Sequence, residues 1–391
     1  MNVDKLQFVP PPGGVRLLQA WVAIGGLAFV AGVVFAPERT WPNLLLVSYF
    51  IIGMGLAGAF FVALQYVSGA GWSTALRRIP ESLAMLLPVG AVGLALVILL
   101  RPSLYPWTGA SGAGFEALHG FKRVWLNLPF FVGRSAAYLL VWIFIALAIV
   151  RTSRRQDEDG NLAHTRRNER LSAVFIVVFG ATFWLASYDW IMSLEPHWYS
   201  TIFGIYNFAG LFLGGLAAII VLAVWLERLG ALRHILTEDH LHDLGTLLFA
   251  FSTFWAYIWF SQYMLIWYAD FPEETSYFIL RMHGTWEPLF ILNLLLNWAI
   301  PFLVLLPRAS KRSPSVLLKV AVVILLGRWL DLYLMILPRF AGATPVFGVW
   351  EIGLMLGAVG TGVLVFFHAL RKAPIIPVKD PYLMESLHPH G

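Results

Sequence analysis

The sequence predicts an all-α integral membrane protein with about ten transmembrane helices. Of its 391 residues, 59% are hydrophobic and only 13% are charged, and the mean hydropathy is +0.73. A soluble protein of this size does not need so much apolar surface, whereas a bundle of membrane-spanning helices does. Cysteine is absent, which excludes a cysteine-ligated iron–sulfur cluster, a thiolate metal site and any disulfide.

Runs of about 20 apolar residues, the length that crosses the hydrocarbon core of a bilayer, define the helices. They lie at 17–36, 43–67, 80–100, 127–150, 171–192, 200–226, 242–268, 286–306, 315–337 and 347–369. Pro88 falls inside the third segment and predicts a kink. Gly353 and Gly357, four residues apart in the tenth segment, indicate a close helix contact. The residues 373–391, with four prolines and mixed charge, are predicted to form an extended cytoplasmic tail that lies on a partner.

Basic residues are divided unevenly between the two predicted faces. Ten spans place both termini on one face, which carries 18 Lys and Arg, against six on the opposite face. Six of the 18 are arginines in 151–170, which we predict to be a loop. Because cytoplasmic loops carry an excess of Lys and Arg, we predict a multi-pass protein with both termini in the cytoplasm.

One polar stretch, 182–204, connects the fifth and sixth segments on the predicted outer face. It contains Asp189, Glu195 and His197 among Trp and Tyr, with no Lys or Arg. We interpret these three residues as candidate groups for proton release, because Asp, Glu and His form the proton relays of membrane proteins. A plain interfacial belt of aromatic residues and a docking surface for redox partners are the alternatives.

Several charged residues fall at membrane depth, where each needs a partner or a water-filled cavity. Arg328 and Asp331 are three residues apart in the ninth segment and are predicted to form an ion pair on one helix face. They would be the intermediate pair of a proton path whose inner entrance is formed by His242, Asp243 and Lys319. The alternative is that the entrance residues lie at the interface, since a boundary error of one turn would move them out of the core.

A second aromatic and polar cluster ends the seventh segment. Quinones bind through an apolar slot, stacking aromatic rings and one or two hydrogen-bonding groups. This cluster offers those features, and its candidate contacts to a quinone headgroup are Ser261, Gln262, Tyr263 and Asp270. An anchoring belt of Trp and Tyr is again the alternative. No two histidines fall at matching depth within spans, which excludes a dihaem cytochrome b-type subunit.

Six stretches carry a likeness to a known family: 189–198, 200–204, 242–245, 259–268, 272–274 and 328–331. They resemble the NrfD/polysulfide-reductase-C (PsrC) type of membrane subunit. The likeness is closer to the second such subunit, the F type (ActF), of alternative complex III, the bacterial quinol:cytochrome c oxidoreductase. It extends over nearly the whole chain.

The resemblance implies two four-helix bundles, helices 2–5 and 6–9, flanked by helices 1 and 10, in the bacterial inner membrane. It implies no metal or covalently bound cofactor, and a role in binding a quinone such as menaquinone, in proton translocation, or in both. The expected partners are a sister NrfD-like subunit, an iron–sulfur protein, multihaem and monohaem cytochromes c, small membrane subunits, a terminal oxidase and lipids, but no nucleic acid.

Two other functions remain open from the sequence. A purely structural anchor for redox subunits would need no proton path or quinone site. A secondary transporter would prefer spans broken by Gly or Pro at corresponding places in two halves, and Pro88 is the one such break that the sequence indicates.

Overall fold

The computed structural model describes residues 7–109 and 119–387, which form an all-α membrane protein without a strand among them. The predicted fold class is confirmed. Lys5 and the end of the predicted tail, 388–391, lie outside the described residues. The ten long helices of the described ranges are α1 Pro12–Phe35, α2 Pro37–Ser68, α3 Arg78–Ala84 with Leu87–Leu100, α4 Leu128–Asp159, α5 Leu162–Trp190, α6 Phe203–Arg228, α7 Glu238–Ala269, α8 Glu287–Leu294 with Leu295–Ala299 and Ile300–Leu305, α9 Pro314–Ile336 and α10 Val349–Leu370.

The helix α9 differs from the others in its charge. Nine long helices of the described ranges are apolar enough to cross a membrane by composition alone. In α9, every window of 18 residues contains Lys319, Arg328 and Asp331. Arg328 and Asp331 are buried and paired, with 2.6 Å between Nη1 and Oδ2. Because the two charges neutralise each other inside the bundle, α9 is able to lie at membrane depth like its neighbours.

Two spans are interrupted beside a proline. The kink predicted at Pro88 is confirmed: α3 stops at Ala84 and resumes at Leu87, with the proline in the first turn of its second half. In α8, a π-helical turn precedes Pro301. A proline has no N–H to donate to the carbonyl four residues earlier, which here is that of Asn297. Ser252 of α7 donates to this carbonyl instead, over 2.7 Å.

Residues 151–170 form the ends of two helices, so the predicted loop is wrong. The helix α4 runs on to Asp159 and α5 begins at Leu162, with Gly160 between them at φ +69°. The buried side of this hairpin is polar: Gln156 Nε2 donates to Thr165 Oγ1 over 2.7 Å. Hydropathy detects only the part of a helix that lies in the bilayer, so this extension was missed.

The spans assemble as two closed rings. The first bundle consists of α2, α3, α4 and α5, and the second consists of α6, α7, α8 and α9. At the seam between them, α2 packs against α6. The helices α1 and α10 pack chiefly against each other, and α10 also packs on α2 and α3. The close contact predicted at Gly357 is confirmed, because a Cβ built on Gly25 of α1 would lie 2.4 Å from its Cα.

The tail up to residue 387 packs on the chain itself. Asp380 pairs with Arg77, just before α3. Ser386 Oγ donates to the carbonyl of Trp72 over 2.6 Å and contacts His240 Nε2 at 3.1 Å, in the first turn of α7. The start of α3, the start of α7 and the end of α10 therefore share one face, which we call the terminal face. The opposite one is the far face.

Candidate functional site

The first bundle ends at the far face in a buried ion pair. Asp189, the penultimate residue of α5, is fully buried and accepts two hydrogen bonds from Arg134 of α4, at 2.8 and 3.1 Å. It also accepts from Trp125 Nε1 at 2.8 Å and from the Tyr138 hydroxyl at 3.4 Å. The Arg134 guanidinium lies 4.0 Å from the Trp125 ring centre. A paired carboxylate with four donors is a fixed anion that positions the groups around it.

A cavity of about 430 Å³ opens beside this ion pair. It lies between the short helix Phe121–Trp125 and the far-face end of α5. Its walls are mostly apolar and aromatic, from Phe121, Trp125, Leu185, Tyr188, Met192 and Trp198, and its polar members include Lys122, Asp189 and Ser193. This volume falls within the range of sites that bind small molecules, roughly 300–1,000 Å³.

Lys122 places a cation at this cavity. Its Nζ donates to the carbonyl of Pro196, which ties the short helix to the loop after α5. Partial burial lowers the pKa of Lys122 below its usual value, because the charged form loses hydration. The cavity therefore combines stacking surfaces with a hydrogen-bond donor that a carbonyl or phenol oxygen can use.

The second bundle holds an equivalent buried carboxylate, Asp331 of α9. It accepts from Arg328 at 2.6 Å, which confirms the predicted pair, and from the hydroxyl of Tyr206. It accepts further from Asn293 Nδ2 at 3.1 Å and from Trp255 Nε1 at 3.4 Å. All four helices of the second bundle thus meet at this one side chain.

A cavity of about 20 Å³ separates Asp331 from the far face. Its lining includes Asp331, Gln262 and Arg281. This is about the space that one water molecule needs, and the lining supplies the polar partners that a buried water requires. On the far side of the cavity, Arg281 Nη2 donates to Glu195 over 2.6 Å. The Glu195 side chain is 19% exposed, so polar groups lead from the far face to Asp331.

The aromatic ring of Tyr277 lies against this route. The Arg281 guanidinium sits 3.4 Å from its centre, on the helix Pro272–Met282 that follows α7. Burial raises the pKa of Tyr277 to about 12, so its hydroxyl stays protonated and can donate a hydrogen bond into the cavity.

The predicted inner entrance is brought together only in part. His242 and Asp243 line a polar cavity of about 300 Å³ on the terminal face, with Arg308 and Arg312. Lys319 does not line this cavity and is exposed on α9. Between Asp243 and Ser252, α7 advances about 14 Å and buries Leu244 and Leu248. The polar groups are therefore interrupted along this part of α7.

The terminal face carries a second charged cluster, at the base of the first bundle. Arg78 is buried and pairs with Glu81 and with Asp157 of α4, and it donates to Ser153 over 3.1 Å. Asp157 comes from the helix extension that hydropathy does not detect, so the sequence did not indicate this cluster.

The four predicted quinone contacts do not converge on one cavity. Gln262 is buried and lines the small cavity beside Asp331. Tyr263 packs on Phe278, with 5.4 Å between ring centres, and Ser261 is half-buried. Asp270 is exposed and caps α7 at φ +50°. A space for one water does not hold a quinone ring, so the ring-sized cavity at the far face lies in the first bundle instead.

The three predicted proton-release residues also lie in different environments. Asp189 belongs to the first bundle, Glu195 pairs across the seam with Arg281, and His197 is exposed. Sequence reasoning missed the roles of Lys122 and Arg281, which it treated only as topology signals. The signal available was a basic residue near an acidic loop on the same predicted face, because buried guanidinium groups need carboxylates.

Within residues 7–109 and 119–387, no group of three or more His, Asp and Glu is placed to hold a metal ion. No protein-family model matches the sequence, and no curated protein is significantly similar to it.

Proposed function

We propose that this chain is a quinone-binding membrane subunit of a quinol:cytochrome c oxidoreductase of the alternative complex III type. The cavity of about 430 Å³ beside Asp189 is the observation that supports this function. It has the size, the aromatic walls and the polar end that a quinone headgroup uses. The proposal keeps the NrfD-type resemblance but moves the ring site from the end of α7 to the first bundle.

The residues of the cavity have distinct roles in this proposal. Trp125 and Tyr188 would stack on the ring, and Lys122 would donate to one of its oxygens. Asp189 already accepts four hydrogen bonds, so we assign it to holding Trp125 and Arg134 in place. Oxidation of a quinol releases two electrons and two protons by its chemistry. The electrons would pass to a redox subunit docked on the far face, and the two protons would be released to water at that face.

Filling the cavity tests this function. Leu185→Trp and Met192→Trp place an indole in the space that the ring would occupy, and Leu265→Trp, on the exposed side of α7, is the matched control. In the purified complex we expect both cavity variants to weaken binding of a quinone analogue about tenfold or more, the effect of losing roughly 1.4 kcal/mol. Unchanged analogue binding and quinol turnover in both variants would refute the site.

A second function, proton translocation through the second bundle, is favoured by one observation. Glu195, Arg281, a water-sized cavity and Asp331 follow one another from the far face inward. Asn293 and Asn297 continue the series, with 2.8 Å between Asn297 Nδ2 and Asn293 Oδ1. Chains of Asp, Glu and His carry protons in membrane pumps. Glu195 and Asp331 are the groups of this kind here, and Arg281 and Asn293 donate hydrogen bonds to them. We propose this series as a far-face half-path.

The location and partners follow from the same proposal. The excess of Lys and Arg on the terminal face supports a cytoplasmic terminal face in a bacterial inner membrane. A sister NrfD-like subunit, an iron–sulfur protein and cytochromes c would then dock at or beside the far face. A secondary transporter would have its interruptions at corresponding places in two halves. Here they fall on the second helix of the first bundle, α3, and on the third helix of the second bundle, α8, so secondary transport is less favoured.

A further inference from the structure

An apolar groove runs along the seam between the two bundles, and we call it the seam groove. Its volume is about 270 Å³. One wall is formed by Val322, Leu326 and Trp329 of α9, and the other by Val359 and Val363 of α10. Val322, Leu326 and Val359 are 41%, 47% and 37% exposed. The groove therefore opens sideways, toward the surface that faces lipid.

The floor of the seam groove comes from both bundles. Met54 of α2 and Leu86, at the interruption of α3, belong to the first bundle, and Leu222 of α6 belongs to the second. Gly362 of α10 leaves free space in the groove. A Cβ built there meets only the Leu86 side chain, at an ordinary 3.8 Å. A chain-like apolar ligand lying here would contact both bundles at once.

A cation stands at the terminal-face end of this groove. Lys319, Val322 and Leu326 follow the i, i+3, i+7 spacing of one helix face, and Lys319 is the one nearest the terminal face. Its side chain is exposed, and none of the ion pairs in the described residues involves it. The exposed Arg371 and Lys372 follow the other wall, after the last residue of α10.

We propose that the seam groove is a binding site for an anionic phospholipid. One acyl chain lies in the groove, and the phosphate is held by Lys319, with Arg371 and Lys372 at the same membrane surface. A lysine near a helix end extends its stem along apolar surface and places its ammonium at the headgroup level. Phosphate is the anion available at that level of a bilayer. This gives Lys319 a role facing the lipid, outside any path through the bundle interior.

Charge is the property that distinguishes this site from ordinary lipid contact. An apolar groove gains little from an acyl chain that is already in hydrocarbon. A basic residue near the membrane surface favours an anionic lipid by about fivefold. The proposal therefore predicts a preference for the anionic headgroup, and it does not depend on the quinone or proton functions.

The test uses the complex that contains this chain, placed in nanodiscs of phosphatidylcholine with a minor share of phosphatidylglycerol carrying the same acyl chains. Native mass spectrometry then compares the two retained lipids. We expect the wild type to retain phosphatidylglycerol preferentially. Lys319→Gln should lose about fivefold of that preference, and Lys319→Arg should keep it. Gly362→Leu should reduce retention of both lipids.

Two matched controls isolate the site. Arg166→Gln removes an exposed charge from the terminal face away from the groove. Gly26→Leu adds the same side chain as the groove variant to an exposed position of α1, where a new Cβ meets nothing. Both should retain lipid like the wild type. Retention of the two lipids by the wild type in proportion to their shares of the nanodisc, or an unchanged preference in Lys319→Gln, would overturn the proposal. Displacement of the lipid by a neutral quinone, equally in Lys319→Gln and the wild type, would assign the groove to an isoprenoid tail instead.

Discussion

Asp189 and Asp331 occupy equivalent places in the two bundles. Each is a buried carboxylate near the far-face end of the last helix of its ring, and each accepts from an arginine, a tryptophan and a tyrosine. They differ in what lies beside them. Asp189 borders a ring-sized cavity, whereas Asp331 borders a water-sized one. The two bundles therefore share one arrangement of a buried carboxylate but differ in the size of the cavity beside it. The predictions below follow from this difference in cavity size.

The ion pair of Asp189 should be essential for stability. Asp189→Asn leaves the Arg134 guanidinium buried without a counter-charge, which costs about 3–5 kcal/mol. Glu38→Gln is the control, because the ion pair between Glu38 and Arg101 is exposed and should contribute less than about 1 kcal/mol to stability. Thermal unfolding of the purified complex in detergent would compare the two. Equal stabilities would show that Asp189 is not a structural anion.

Glu195 should control proton release as well as balance the charge of the buried Arg281. Glu195→Gln removes the exposed end of the polar series, but Arg281 still donates to the carbonyls of Leu334 at 2.7 Å and Tyr277 at 2.8 Å. Because Arg281 loses its counter-charge, we expect a lower melting temperature and, in complexes that still assemble, a slower or smaller proton release per quinol. His197→Gln changes an exposed neighbour and should have no effect.

The same assay decides whether a proton path exists at all. Proton stoichiometry and quinol turnover would be measured for Asp189→Asn, Asp243→Asn and Asp331→Asn in complexes that still assemble. The second-bundle variant, Asp331→Asn, should lower stoichiometry. If Asp331→Asn keeps both quantities unchanged, the proton-path proposal is wrong, and Asp189→Asn and Asp243→Asn show whether any change is specific to the second bundle.

Ligand binding at the first-bundle cavity should depend on the charge of Lys122. Its pKa lies below the usual 10.5, because burial disfavours the ammonium form. If the ammonium donates to the quinone, affinity is full at low pH and falls as the pH rises through this lowered pKa. Lys122→Arg should move the fall to higher pH, and Lys122→Met should abolish the pH dependence. Titration of a quinone analogue across alkaline pH would check both.

The hydrogen bond from Ser252 should compensate for Pro301. Ser252→Ala leaves the Asn297 carbonyl without a donor, at a cost of about 1–3 kcal/mol. In the double variant with Pro301→Ala, the new N–H can donate to that carbonyl, so the loss should shrink. A double-mutant cycle on unfolding free energies measures this coupling. Strictly additive effects would mean that the two residues act independently.

The sequence predicted those features that depend on local spacing. Nine spans, the kink at Pro88 and the Arg328–Asp331 pair of the tenth long helix follow from hydropathy, proline chemistry and the i, i+3 relation. The extension of α4 to Asp159 did not follow, because a polar helix outside the bilayer has no hydropathy signal. The tail also packs on the chain itself, through pairs such as Arg77 with Asp380 that join distant parts of the sequence.

The candidate site was harder to predict because it is assembled from distant segments. Trp125 lies in a short helix that spans nothing, yet its indole binds Asp189 at the end of α5. Composition identified the aromatic end of α7 but could not say that Gln262 faces inward while Asp270 ends the helix exposed. Which side chains share a cavity depends on helix rotation and on packing between helices. Neither can be predicted from the sequence of a single segment.

The contact between Gly25 and Gly357 has a consequence for how the protein is made. The helix α1 leaves the ribosome before α10, the helix against which it chiefly packs, and the eight other long helices lie between them in the described chain. Until α10 is inserted, the small-residue face of α1 has to be covered by lipid or by an assembly factor. A chain that stops before Val349 would contain both bundles but would lack the helix that packs against α1.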